Sequence, residues 1–191
     1  MLVERKRLKV VHYLNQFFGK EGGEDRAHIP FQIKEGPVGA GMALQKILGE
    51  RGDVVATLIC GDNYFAQNVE KASREGIELI LPYKPDIFIA GPAFEAGRYG
   101  VACGAICKSA HEKLGIPAIT GMFSFHKPAG RELVRQLSAR TTPRRRDSLT
   151  LITPEWSRSA RSGRSRTARI EIREFSPFWA DAGRGWRGAI I

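Results

Sequence analysis

Two short stretches carry residues whose types and spacing could do chemistry. The first is GPAFEAGRYGVACGAIC, residues 91–107, which follows the apolar run DIFIA at 86–90. Its glycines permit a close backbone approach to a ligand. Arg98 can offer a two-pronged donor to a carboxylate. Tyr99 can offer a hydroxyl. Cys103 and Cys107 follow, four apart. The second stretch is CGDN at 60–63, which places Asp62 and Asn63 just after another apolar run. Those two residues can bind an amine or a hydroxyl, or can simply cap a helix.

Cys103 is the thiol candidate. A place within one turn of a helix start would favour its thiolate. A buried thiol flanking an apolar helical stripe is the more economical reading, and it gives Cys107 no chemistry either. Zinc ribbons need C-x2-C pairs and four ligands, so no metal site is expected. His12 lies inside an apolar run and reads as a core histidine. His28, His111 and His126 show no pairing. Neither the dinucleotide fingerprint GxGxxG nor the phosphate loop GxxxxGK[ST] occurs, which argues against a plain nucleotide-binding domain.

The elements that must position these residues are legible from periodicity. LKVVHYLN (8–15), DVVATLIC (53–60), DIFIA (86–90) and IPAITGMF (116–123) are apolar throughout, the pattern of parallel strands buried on both faces. Between them lie three helical stretches. GMALQKILGERG has Leu44 and Leu48 on one face and Gly49 or Gly52 as its stop. A second runs from CGDN to Leu81, with Phe65, Val69, Ala72, Gly76 and Ile80 on one face. GRYGVACGAICKSAHEKLG carries Ala102, Ile106, Ala110 and Leu114. The expected fold is α/β: a Rossmann-like, doubly wound parallel sheet of about four strands. Its site should lie beyond the carboxyl ends of the strands. Asp62, Asn63, Arg98 and Tyr99 should then meet at one edge, as contacts to a substrate or a partner. The long glycine-rich, acidic segment 17–41 is of a kind that is often functional.

Composition divides the chain. The 191 residues carry a net charge of +10, yet residues 1–125 hold 15 basic against 14 acidic side chains, and residues 126–191 hold 15 against 6. The last part has 14 arginines and one lysine, Lys127, with no sustained period. Two domains are therefore expected: an α/β unit over 1–125, and an irregular, disordered basic tail over 126–191. Such a tail could bind nucleic acid through phosphates. It contains no recognised binding module, which argues against that use. Loss of lysine and of periodicity also fits a GC-rich gene read out of frame beyond about residue 126. No run of about 18 apolar residues occurs, and the amino terminus is no signal peptide, so no membrane span and a cytoplasmic setting are expected. Three cysteines make no disulfide framework.

VVHYLNQFFGKEGGED, KEGPVGAGMALQKILG, VVATLICGDNYFAQN and YKPDIFIAGPAFEAGRYGVACGAICKSAHEKLGIPAITGMF occur in order. From about Lys9 to Phe123 the chain resembles the amino-terminal part of the glycine/sarcosine/betaine reductase component B selenoprotein subunit, within the wider family that includes D-proline reductase. Where this chain has Glu95, the family pattern has Asn. The resemblance implies reductive cleavage of a C–N bond in a small amino acid: glycine, sarcosine or betaine. It implies a component B partner subunit bearing a pyruvoyl group, and transfer to selenoprotein A. The family's selenocysteine falls downstream of the matched segment, so this chain alone is expected to be inactive.

Overall fold

The computed structural model describes residues 7–94, 97–122 and 149–152, with backbone alone for 94, 122 and 149–152. Glu95 and most of the tail, 126–148 and 153–191, lie outside the described residues.

Strand β1 (Leu8–Asn15) is the centre of the molecule. Its last six residues are all buried, as a run apolar on both faces requires. It pairs in parallel with β3 (Gly52–Cys60) on one side and β4 (Ile87–Phe94) on the other. Outside β4 lies β5 (Ala118–Met122), also parallel. The chain is thus mixed α/β with a mostly parallel sheet.

The expected count of four strands is too low. Among the described residues the sheet has six, in the order β2-β3-β1-β4-β5-β6. Strand β2 (Gln32–Glu35) lies inside the long loop and runs antiparallel to β3. QIKE holds a single apolar residue, Ile33, and is only half buried, so it lacks the continuous apolar signal of its neighbours. Charged residues on such an edge also discourage further strand pairing. Strand β6 (Leu149–Ile152) lies inside the tail and pairs in parallel with β5, from Ala118 opposite Leu149 to Gly121 opposite Ile152. The tail is therefore not irregular throughout. LTLI is a short β-prone run that a search for long periods passes over.

Helices cover both faces. Helix α1 (Gly41–Leu48) packs Leu44 and Leu48 on Val10, Val54, Ile87, Ile89 and Ile119. It ends at Gly49, whose φ of 53° suits glycine. The opposite face takes α2 (Asp62–Gln67), α3 (Val69–Ile80) and α4 (Gly97–Leu114). Residues 62–81 form two helices rather than the one expected. Asn68 separates them, and its Oδ1 accepts the Lys71 N–H at 3.0 Å to cap α3. The apolar stripe runs unbroken from Phe65 to Ile80 across this break, so periodicity alone hides it. GPAF, read as loop, continues β4, with a register shift between Ala90 and Phe94.

Candidate functional site

The carboxyl ends of β1, β3 and β4 bring Asn15, Asp62 and the start of α4 to one edge of the sheet. The long loop folds down onto that edge. The Gly61 N–H donates to Ile29 O at 3.0 Å, and the Asn63 and Tyr64 N–H groups both donate to Ala27 O, at 2.8 and 3.1 Å. Gly61 must be glycine here: a Cβ would stand 2.2 Å from Ala27 O. Gly39, with φ of 53°, lets the other end of the loop pass against Phe18 O in the same way.

These bonds change the reading of Asp62 and Asn63. The N-cap of α2 is Gly61, with no side-chain cap bond. A loop carbonyl takes the helix's free N–H groups, so both side chains are released for other contacts. Asp62 turns inward and is 8% exposed. Its Oδ2 accepts from Asn15 Nδ2 at 2.9 Å, and its backbone N–H donates to Gln16 Oε1 at 3.0 Å. Its Oδ1 is buried with no partner. Burial raises the Asp62 pKa, against the Asn15 bond and the nearby Arg98 charge, which lower it.

Asn63 turns outward. Its Oδ1 accepts from Arg98, and its Nδ2 lies 3.0 Å from His28 Nε2. Arg98 also pairs with Glu24 at 2.7 Å. Arg98 thus ties the long loop to α2 and α4 at the mouth of the edge. Glu24, which the sequence reading passed over, and His28, which it took as showing no pairing, complete this outer cluster. Their signal lay only in the acidic, glycine-rich character of the loop.

Tyr99 does not share the mouth with Arg98. It points into the core at 1% exposure, its ring 6.0 Å from that of Tyr13 and stacked on Phe18 at 5.6 Å. Helix geometry turns neighbouring residues about 100° apart, so an exposed Arg98 carries Tyr99 toward the sheet. Cys103, one turn further on, is fully buried beside Tyr99 and Thr120. Burial raises its pKa well above the ordinary thiol range, and raises those of Cys60 and Cys107. Desolvation therefore outweighs the helix dipole at Cys103. His12, on the other face, donates from Nε2 to Gly91 O at 2.6 Å, and burial lowers its pKa to about 4. Among the described residues no cluster of His, Cys, Asp or Glu could hold a metal ion. No described helix is long and apolar enough to cross a membrane.

The carboxyl edge of the sheet thus carries a buried carboxylate, Asp62, near the bridge that Arg98 makes to Asn63 and Glu24. Comparison with known proteins supplies the class. The family model for glycine/sarcosine/betaine reductase selenoprotein B matches residues 7–144, and the chain belongs to that family. It is 57% identical over 118 residues to the sarcosine reductase complex component B subunit beta of Peptoclostridium acidaminophilum, covering 62% of this chain and 27% of that one. It is 53% identical over 116 residues to the glycine reductase complex component B subunit gamma of Symbiobacterium thermophilum, covering 61% and 27%. Against the betaine reductase complex component B subunit beta of Peptoclostridium acidaminophilum it is 48% identical over 114 residues, covering 60% and 26%. The chain spans about a quarter of the length of these relatives. The family match continues to residue 144, past Phe123 where the quoted motifs stop. No solved structure matches.

Proposed function

We propose that this chain supplies the amino-terminal α/β domain of a component B reductase subunit, serving reductive C–N cleavage of glycine, sarcosine or betaine in the cytoplasm. The family match over residues 7–144 carries this reading. The placement of helices on both sheet faces supports a doubly wound, Rossmann-like core. The edge at Asp62, Asn63 and Arg98 then serves as the contact to the small amino acid or to the pyruvoyl-bearing partner subunit, with selenoprotein A receiving the product. Tyr99 acts from beneath that edge.

The chemistry of the described thiols does not fit the family's reacting selenol. Cys60, Cys103 and Cys107 are all buried, with raised pKa values. A nucleophile of that kind needs an exposed thiolate-like group. No redox step is therefore derived through these residues, and the chain by itself is expected to cleave nothing. For the arginine-rich remainder, an out-of-frame origin rests on composition, and the DNA around codons 120–150 read in three frames tests it. Nothing supports nucleic-acid binding by the tail.

The reading is tested by disrupting the gene in its host and measuring amine release. Reductive cleavage frees ammonia from glycine, methylamine from sarcosine and trimethylamine from betaine. Loss of one of these is the expected result. Unchanged release of all three, in a host whose copy of the gene reads through in frame, would overturn the proposal.

A further inference from the structure

On the α4 face of the sheet, Tyr13 stands opposite Ala90, and Ala90 opposite Thr120. Ala90 brings only a methyl group between a phenol and a hydroxyl. Tyr99 and Cys103 lie over this part of the sheet from α4, and the Asp62 carboxylate stands at its outer end, at the sheet edge. Four oxygens here are buried with no hydrogen bond of good geometry: Tyr13 Oη, Tyr99 Oη, Thr120 Oγ1 and Asp62 Oδ1, of which Tyr99 Oη and Thr120 Oγ1 lie against the weak partner Cys103 Sγ. None of the four residues is more than 8% exposed. Buried polar atoms in native proteins are almost always hydrogen-bonded, so a cluster of orphans signals something that pairs with them.

The sign of the missing partner follows from the inventory. A carboxylate only accepts when ionised, and phenol and hydroxyl oxygens accept as well as donate. Among the described residues no cation is buried with them. Arg98 stands outside, held by Asn63 and Glu24. The Tyr13 and Tyr99 rings, 6.0 Å apart, add faces that attract a positive charge. An anion would meet the Asp62 carboxylate and no counter-charge.

We propose that this cluster is a binding site for the ammonium group of a small primary or N-methylated amine, entering past Asp62. The ammonium N–H groups donate to Asp62 Oδ1 and to the tyrosine hydroxyls, and the rings flank its charge. The inference rests on the reductase reading in its choice of amine.

The test uses the full 191-residue chain, titrated by calorimetry and by tyrosine-ring NMR with glycine and sarcosine, with betaine as the quaternary ammonium that has no N–H to donate, and with acetate as the anion lacking the amine. Saturable binding of at least one amine and none of acetate is expected. Asp62→Asn should weaken that binding by roughly tenfold or more, since it removes a charge-assisted bond. Tyr99→Phe should weaken it several-fold, and Thr57→Val on the opposite face should leave it unchanged. If Asp62→Asn does not fold, Tyr99→Phe decides. No saturation by any amine, equal binding of acetate, or insensitivity to these substitutions overturns the proposal and leaves ordered water as the occupant. Amine binding without any loss of amine release on gene disruption would keep this site and remove the reductase reading. Loss of release without amine binding would do the reverse.

Discussion

The two faces of one sheet are built from alternate residues of the same strands, yet they pack different kinds of side chain. Under α1 the packing is aliphatic, from Val10 and Leu44 to Ile89 and Ile119. Two of the polar residues there, Thr57 and His12, make hydrogen bonds. Thr57 Oγ1 donates to Gly36 O at 2.7 Å and accepts from Val38 N at 3.2 Å, and His12 donates to Gly91 O. Under α2–α4 the packing is aromatic, with Tyr13 within 6.4 Å of Phe31, Phe65 and Tyr99, and four oxygens make no hydrogen bond of good geometry. Both faces bury apolar surface well, so stability alone does not require the difference. The amine site proposed above would account for the oxygens on the aromatic face.

The largest effect that sharpens this contrast is the loss of an aromatic. Phe65 is fully buried and touches both Tyr13 and Phe31. Phe65→Ala should cost about 3–5 kcal/mol in urea unfolding, through lost burial and the cavity left behind. A cost near 1 kcal/mol would mean that the aromatic face is loosely packed.

Next is pH, through His12. Its folded pKa of about 4 lies below the usual value of 6.5, because burial disfavours the charged ring. The unfolded chain therefore binds the proton first as pH falls. Stability is complete above pH 6.5 and declines toward pH 4, by about 3 kcal/mol for a shift of this size. Asp62 works in the opposite sense, since its raised pKa gives stability that is lost as pH rises. Unfolding at pH 7 and pH 4.5 in wild type and His12→Gln isolates the histidine. An equal slope in both would remove this role from His12.

Smaller again is Thr57→Val. It leaves Gly36 O and Val38 N without their partner and should cost about 1–2 kcal/mol. Smallest is Arg98→Ala. The Arg98 side chain is 46% exposed and that of Glu24 68%, so breaking their pair should cost under about 1 kcal/mol. Its effect should appear instead as faster proteolysis of the loop around Glu24. Unfolding curves and timed digestion of both variants check the two values. A large stability loss from Arg98→Ala would make it a structural residue.

Much of this arrangement was legible in the sequence, for physical reasons. Strands buried on both faces must be apolar throughout, and β1, β3 and the first half of β4 stand where their runs do. The bounds of α1 and α4 follow from glycine and from four-residue spacing. Strand β2 escaped because an edge strand needs only one apolar face. The break at Asn68 escaped because the buried stripe continues through it. At the site, the convergence of Asp62, Asn63 and Arg98 follows from parallel strands ending at one edge. Which of them turn inward does not. A loop carbonyl distant in sequence, Ala27 O, takes over the capping of α2 and frees Asp62 to turn inward. No local pattern carries that contact.

Removing the Tyr99 hydroxyl tests the contrast between the faces most directly. If that oxygen is an orphan kept for a ligand, Tyr99→Phe removes a buried unpaired group and keeps the ring packing. Thermal melting of the ligand-free chain should then stay at the wild-type midpoint or rise, with the response to an added amine lost. A midpoint lowered as far as that of Thr57→Val, with the amine response intact, would show that the Tyr99 hydroxyl is a paired part of the fold and contradict the site.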